Sequence, residues 1–214
     1  MAELPPNDSR FELRDGWVVP VIDQWCFPTV IGEVSKFDPV LRRVKDFRTL
    51  IQAGGNIGIF PKLLAKYFDV VHTFEPDDVN WIALKANLEG VKDVYCYKLG
   101  LGEDFGKGSV RVVDDRNIGA HFIGYGEGEV EIVPIDSIST EGVGLIWLDI
   151  EGAELFALKG AEKTILRDSP VIVLEFRNHP HSYGHSHDDT INYLASLGYR
   201  AVEQLEYDTV FERV

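Results

Sequence analysis

The segment Trp147–Ala161, WLDIEGAELFALKGA, puts three acids, Asp149, Glu151 and Glu154, directly after a run of apolar residues. Carboxylates carried to the end of a buried strand cost free energy unless they bind something. A solvated helix start accounts for Glu154 but accounts poorly for Asp149. A fourth acid, Glu75, closes the apolar stretch VVHTFE, 21 residues after Gly54 in LIQAGGNIGIF. At that distance from a glycine turn, an acid can accept hydrogen bonds from both hydroxyls of a ribose. The same position also suits an acid that caps the helix after Pro76. Gly54, Gly55 and Gly58 lie between a strand-like and a helix-like segment, so backbone can approach a ligand with no Cβ in the way. The helix start behind them favours a phosphate or a carboxylate. GGNIG is too compact for a dinucleotide fingerprint, and a glycine turn by itself can merely pack a helix tightly against a strand.

Histidines offer a second kind of chemistry. His121 lies in the Gly-rich loop DDRNIGAHFIGYGEG and is the first candidate for a general base, because imidazole titrates near neutrality. A loop histidine without a role fits that position equally well, and Asp149 and Glu175 are the alternative bases. Four more, His179, His181, His185 and His187, crowd into HPHSYGHSHDD. With Asp188 or Asp189 such a tract could hold a metal, but its spacing matches no structural zinc pattern, and no metal is expected. A lid or solvated loop, or contact with an acceptor, are the other readings of that tract.

The elements that must position these residues alternate. TLIQA, VVHTFE, VYCYKL, VGLIWLDI and PVIVLEF read as strands, separated by helical patterns such as IGIFPKLLAKYF and DDVNWIALKANLEG. In the second of these helices Asp77 or Asp78 is the expected cap and Gly90 the expected stop. Strand–helix alternation with short joints gives parallel strands and right-handed crossovers. VGLIWLDI, almost continuously apolar, suits a central strand buried on both faces. A helix is expected over about 153–166. Two final strands, YRAVEQL and DTVFERV, follow the helix DDTINYLASLG and close the sheet with a short turn. GSVRVV and GEVEIVPI flank the Gly-rich loop as a hairpin or paired edge strands. Residues 1–48 read as an N-terminal extension or lid, with a helix from Asp38 to Asp46 capped by Asp38. Residues 49–214 read as the single ligand-binding domain. Ligands in such sheets bind outside the carboxyl ends of the strands.

Bulk composition narrows the partners. The chain has 214 residues, 45% hydrophobic and 26% charged, enough for one domain with a full core. Against 21 bases stand 35 acids, a net charge of −14, and no basic stripe interrupts them. Such a surface repels a phosphate backbone, so no nucleic acid is expected as substrate. No apolar stretch reaches the roughly 20 residues of a membrane span, and no signal-peptide pattern opens the chain. With Cys26 and Cys96 giving no disulfide framework, a cytoplasmic location is expected.

In the motifs IQAGGNIG, FEP, VPIDSI, LDIEGAELFALKGA and VIVLEF, the chain resembles the FkbM-type S-adenosylmethionine-dependent methyltransferases. The order and spacing match over about Thr49 to Tyr199, and the DIEGAE…LKGA block is the specific part. The resemblance implies a Rossmann-like class I methyltransferase fold. This is an α/β domain with a seven-stranded, mostly parallel sheet, an antiparallel last strand and helices on both faces. It implies S-adenosyl-L-methionine as cofactor and a hydroxyl on a small molecule or sugar as acceptor. It further implies that Gly54, Gly55 and Asn56 line the methionine end of the cofactor. Glu75 would hold the ribose, Pro76 after it would also touch the cofactor, and Leu99, Gly100 and Leu101 would flank the adenine. Asp149 and Glu151 would face the methionine amino group or the acceptor. Many members carry an acid two positions before the first glycine, where this chain has Gln52. A neutral amide there can still accept from the ammonium, and the full charge would fall to Asp149. Two other readings remain at this stage: a cofactor-binding module without catalysis, and a nicotinamide-dependent dehydrogenase, which explains the glycine turn and Glu75 but not DIEGAE.

Overall fold

The computed structural model describes residues 2–6, 8–114, 116–176 and 183–214. His179 and His181 lie outside the described residues. The chain begins with a hairpin, β1 (Phe11–Arg14) and β2 (Trp17–Pro20), followed by helix α1 (Cys26–Glu33), a 3-10 turn (Val34–Lys36) and α2 (Phe37–Leu41). Then come β3 (Thr49–Ala53), α3 (Ile59–Leu64), β4 (Val70–Phe74), α4 (Asp78–Asn87) and β5 (Val94–Tyr97). A second group of strands follows: β6 (Gly100–Leu101), β7 (Gly106–Arg111), β8 (Phe122–Tyr125) and β9 (Val130–Val133). The chain closes with β10 (Val143–Leu148), α5 (Glu154–Lys159), α6 (Glu162–Asp168), β11 (Val171–Glu175), α7 (His187–Ser196), β12 (Tyr199–Leu205) and β13 (Asp208–Arg213).

Seven strands form the main sheet in the order β12-β13-β11-β10-β3-β4-β5. The five strands from β11 to β5 are mutually parallel, and β13 runs antiparallel to both β11 and β12. Strand order reverses beside β3, because the chain moves outward through β4 and β5 and then returns to the other side as β10. A crevice at the carboxyl ends of β3 and β10 is the geometric result, since the loops leaving the two strands turn to opposite sides.

The period-two pattern of each strand feeds two cores. Ile51, Ile146, Leu148, Ile172 and Leu174 face Ala157, Leu158, Ile165 and Leu194 from α5, α6 and α7. Leu50, Leu145, Trp147 and Val173 face the other side, against Phe37, Val40, Leu64 and Phe68. Trp147 meets Phe37 and Phe60 edge-on at centroid distances of 5.7 and 5.3 Å, tying α2 and α3 to the central strand. Five consecutive buried residues in β3 and six in β10 show strands covered on both faces.

Three sequence expectations change. The helical run near the N-terminus starts at Cys26 and ends at Leu41, so Asp38 sits in the first turn of α2 and caps nothing. CFPTVIGE contains Pro, Thr, Val, Ile and Gly, poor helix formers that conceal α1. Its start is held instead by Asp23, which accepts from the Cys26 and Phe27 amides at 3.0 and 2.9 Å. The helix expected over 153–166 is two helices, because at Gly160 a Cβ would lie 2.0 Å from the Gly102 carbonyl oxygen and the chain must turn there. Finally, the Gly-rich loop contains a strand: β8 pairs with β7, which also pairs with β9, in a four-stranded sheet ordered β6-β9-β7-β8. No helix among the described residues is long and apolar enough to cross a membrane.

Residues before β3 pack on the rest of the chain. Val18 and the Asn87 side chain exchange two hydrogen bonds, each 2.8 Å, fastening β2 to α4. Phe11, Val18, Val19, Cys26 and Phe27 share a core with Ile57, Ile59, Ala83 and Ile118.

Candidate active site

At the carboxyl ends of β3, β4 and β10 lies a pocket lined by the cofactor and base residues expected from the sequence, though not by Gly58, Glu154, His185 or His187. Gln52, Gly54, Gly55, Asn56, Glu75 and Pro76 form one part, Leu99, Gly100 and Leu101 another, and His121, Asp149, Glu151 and Glu175 complete it. Helix α1 contributes Cys26, Thr29, Val30 and Glu33, with Trp25 before it, and the loop before β8 contributes Asn117, Ile118 and Gly119.

The glycine turn is shaped first by the protein itself. Gly54 has φ of +81°, and a Cβ there would stand 1.9 Å from the Asp149 carbonyl oxygen. At Gly55 a Cβ would meet Leu84 and Thr73, each at 2.7 Å. Close approach of chain to chain therefore demands these glycines, whatever ligand comes near. Gln52, 1% exposed, braces the same turn. Its amide nitrogen donates to the carbonyls of Ala53 and Gly54 at 3.1 and 2.9 Å, and its oxygen accepts from the Thr73 hydroxyl at 2.6 Å. Two carbonyl partners fix which end is nitrogen. The amide that the sequence offered to a ligand's ammonium is thus engaged in holding the backbone.

Glu75 is buried at the end of β4. One carboxylate oxygen accepts from the Asn56 amide at 2.6 Å and the other from the Asp77 amide at 2.8 Å. Burial outweighs these bonds and pushes its pKa up to about 8. Asp77 caps α4, accepting from the Val79 and Asn80 amides at 2.8 and 2.9 Å. Its second oxygen lies 3.1 Å from Nδ1 of His121. Burial would raise the Asp77 pKa, but His121 and the backbone donors prevail and lower it.

The loop that carries His121 is pinned down. Buried Ile118 presents its carbonyl to Nδ2 of both Asn80 and Asn56, at 2.9 and 3.4 Å, and the Arg116 carbonyl accepts from the Gln24 amide at 2.9 Å. Two polar atoms of this wall are buried with no hydrogen-bond partner: Oδ1 of Asn80 and Nε2 of His121.

On the opposite wall, the turn after β10 carries Asp149 and Glu151, the latter in a left-handed conformation with φ of 54°. Glu154 is buried here, contrary to the solvated helix start expected for it. It accepts from the Ile150 and Gly152 amides at 3.1 and 3.2 Å and so braces the turn. Burial pushes its pKa up to about 7. Carboxylate oxygens of Asp149, Glu151 and Glu175 all come within 4.8 Å of one another, close enough to share one cation or one polar ligand. Behind them Lys36 bridges Asp208 at 2.5 Å and Glu33 at 3.3 Å, and Asp208 is the cross-strand neighbour of Glu175. Burial raises the pKa of both Glu33 and Asp208 against the pull of Lys36.

The sequence reading missed the α1 residues, Asp77 as the partner of His121, and Asn80. Asp77 had a visible signal as a helix cap; α1 had none. Lys and Arg are missing from the described lining, which contains six acids: Glu33, Glu75, Asp77, Asp149, Glu151 and Glu175.

A glycine turn, an acid at the end of the next strand and a switch point between β3 and β10 define a ligand-binding α/β sheet. Residues 52–201 match the model of the methyltransferase FkbM domain, and the chain belongs to that family. No curated protein matches it in sequence. Among solved structures it is similar to the methyltransferase FkbM of Methylobacillus flagellatus KT, with TM-score 0.50 and 18% identity. That match covers 86% of this chain and 59% of that one, so the chain spans less than two thirds of that relative's length. SMU.1697c of Streptococcus mutans, solved in complex with SAH, matches at TM-score 0.52 and 12% identity, over 85% of this chain and 97% of that one. An rRNA methylase of Streptococcus thermophilus matches at TM-score 0.50 and 12% identity, over 84% and 95% of the two chains. Identities this low establish a shared fold.

Proposed function

We propose that the protein is an S-adenosylmethionine-dependent methyltransferase acting on a hydroxyl of a small molecule or sugar. The observation that carries this reading is the pairing of two walls in one pocket. Along β3 and β4 lie the glycine turn and Glu75, and at the ends of β10 and β11 three carboxylates converge. When bound, S-adenosylmethionine supplies an electrophilic methyl group on a sulfonium, which passes to the acceptor oxygen. Gly54, Gly55 and Asn56 would hold its amino-acid end, Glu75 the ribose hydroxyls, and Pro76 with Leu99 to Leu101 the adenine. The buried polar atoms on Asn80 and His121 and the absence of Lys and Arg from the described lining fit a cationic, donor-rich ligand. Gln52 would act through the backbone it braces, and Asp149 would supply the charge facing the ammonium or the acceptor.

Methyl transfer asks the protein for in-line placement and a proton acceptor. Asp149 would take the hydroxyl proton, with Glu175 and Glu151 orienting the acceptor. His121 faces Asp77, the cap of α4 after β4, while Asp149 follows β10. Trp25, just before α1, and Thr29 and Val30 on it would close the mouth against water. The acidic lining and the net charge of −14 support a neutral or cationic small acceptor over RNA.

Incubation of the protein with S-adenosylmethionine and separate panels of sugars, small hydroxyl compounds and RNA, reading S-adenosylhomocysteine release, tests the reading. Turnover with a hydroxyl compound supports it. Turnover with RNA alone, or binding of NAD in place of S-adenosylhomocysteine, would overturn it. Asp149→Asn should abolish turnover, read as loss of S-adenosylhomocysteine release.

A further inference from the structure

Helix α1 stands between the active-site pocket and a second, open groove, and its helical period divides its residues between them. Cys26, Thr29, Val30 and Glu33 line the pocket, while Pro28, Thr29, Gly32 and Glu33 line the groove. Thr29 and Glu33, one helical turn apart, belong to both and form the ridge where the two spaces meet. The groove measures ≈ 770 Å³, within the roughly 300–1,000 Å³ usual for ligand sites. Its far wall is the turn between β12 and β13, with Leu205, Glu206 and Tyr207. That turn is fastened to the acid wall of the pocket. The Tyr207 carbonyl accepts at 2.8 Å from the amide of Phe176, the residue after Glu175, and Lys36 ties Asp208 to Glu33. The frame of the groove is thus locked to the converging carboxylates.

Hydrogen-bond acceptors dominate the polar lining. Thr29 gives its hydroxyl hydrogen to the Trp25 carbonyl at 2.7 Å and Ser35 gives its own to the Gly32 carbonyl at 3.1 Å, so each presents oxygen lone pairs to the groove. Glu33 and Glu206 add carboxylates, and Lys36 is buried against Asp208 and Glu33. Pro28, Pro39 and Tyr207 supply apolar ring surfaces. Such a lining suits a ligand with many O–H donors and apolar C–H faces. An anion is disfavoured because the ammonium of Lys36 is already spent, and Lys36 offsets enough of the acid charge to favour a neutral chain over a polycation.

We propose that this groove is the subsite for the second and later units of a neutral oligosaccharide, whose end unit crosses the ridge of Thr29 and Glu33 and brings a hydroxyl to Asp149. The proposal rests on methyl transfer to a hydroxyl and specifies the acceptor as a chain of sugar units in place of a single ring. The acceptor oxygen takes the methyl as the C–S bond breaks, S-adenosylhomocysteine leaves as the neutral thioether, and Asp149 takes the hydroxyl proton.

The full chain would be assayed with S-adenosylmethionine and malto-, cello- and manno-linked oligomers of one to four units, reading S-adenosylhomocysteine release. For the linkage that is used, kcat/KM should be about tenfold or more higher for the tetramer than for the monomer, the worth of one or two added hydrogen bonds. Gly32→Phe tests the groove directly. A Cβ at Gly32 meets nothing within 4 Å, so a ring can be added there without strain on the helix. This variant, and Tyr207→Ala on the opposite wall, should each reduce the tetramer-to-monomer ratio to about twofold or less, and Gly32→Ala should preserve it. The ratio is read within each variant, so a general loss of folded protein does not imitate the effect. Turnover of monomers or of small hydroxyl compounds without dependence on chain length overturns the proposal and leaves the methyltransferase reading intact, as does a ratio that Gly32→Phe leaves unchanged. Methylation of a lysine-rich peptide and of no hydroxyl compound overturns both.

Discussion

Carboxylates on the two walls of the pocket are spent differently. Along β4, both oxygens of Glu75 and both of Asp77 are taken up by backbone amides or by His121. At the ends of β10 and β11, the backbone-binding work falls to Glu154 behind the wall, while Asp149, Glu151 and Glu175 turn their carboxylates toward one another within 4.8 Å. One wall is an organised frame and the other concentrates negative charge. The contrast teaches that an acid after a strand is not one signal: what its neighbours donate decides whether it holds the chain or faces a ligand.

Breaking the seam between the walls should have the largest effect. Gly54→Ala would push a Cβ into the Asp149 carbonyl at a left-handed backbone position, so a stability loss of about 4 kcal/mol or more is expected in urea unfolding. Trp147→Ala, which empties the contact between β10 and the aromatic pair Phe37 and Phe60, should cost about 3–5 kcal/mol in the same measurement.

The two walls also differ in what protons do. The pKa of Glu75 is pushed up to about 8 and that of Glu154 to about 7, both above the ordinary 4.5, so these two carboxyls bind more protons in the folded chain than in the unfolded one between about pH 4.5 and 8. Their contribution to the stability of the ligand-free protein is therefore lost as pH rises through that window. Glu75→Gln should flatten the slope of the thermal midpoint between pH 5 and 8; an unchanged slope would assign it to other groups. If ribose hydroxyls donate to Glu75, they favour its charged form. S-adenosylhomocysteine should then bind more tightly at pH 8 than at pH 6 and release protons, seen as a buffer-dependent calorimetric enthalpy.

Adjacent acids sharpen the comparison at its smallest scale. Asp77→Ala removes the cap of α4 and the anchor of His121 and should cost about 1–2 kcal/mol. Asp78→Ala removes only an exposed pairing with Lys98 and should stay within about 0.5 kcal/mol.

Much of this was legible in order along the chain. The buried runs of β3, β10 and β11, the glycine turn, Glu75 at the end of β4 and the acid block after β10 all follow from local pattern, because strand burial and turn chemistry are written in consecutive residues. The role of Gln52 was not legible: its partner Thr73 meets it only when β3 and β4 align side by side. The burial of Glu154 was equally hidden, since a helix-start acid looks the same in sequence whether water or the Ile150 amide receives it.

By itself the sequence determined a mostly parallel α/β sheet, a pocket at its carboxyl edge and the glycines and strand-end acids that line part of it, because periodicity, glycines and strand-end acids are local. Tertiary structure alone decided which acids brace the backbone and which converge. It also brought α1 over the pocket and set His121 on Asp77, 44 residues away in the chain. Those outcomes depend on distant segments meeting, and hydrogen-bond geometry between them exists only once the sheet has closed the distance.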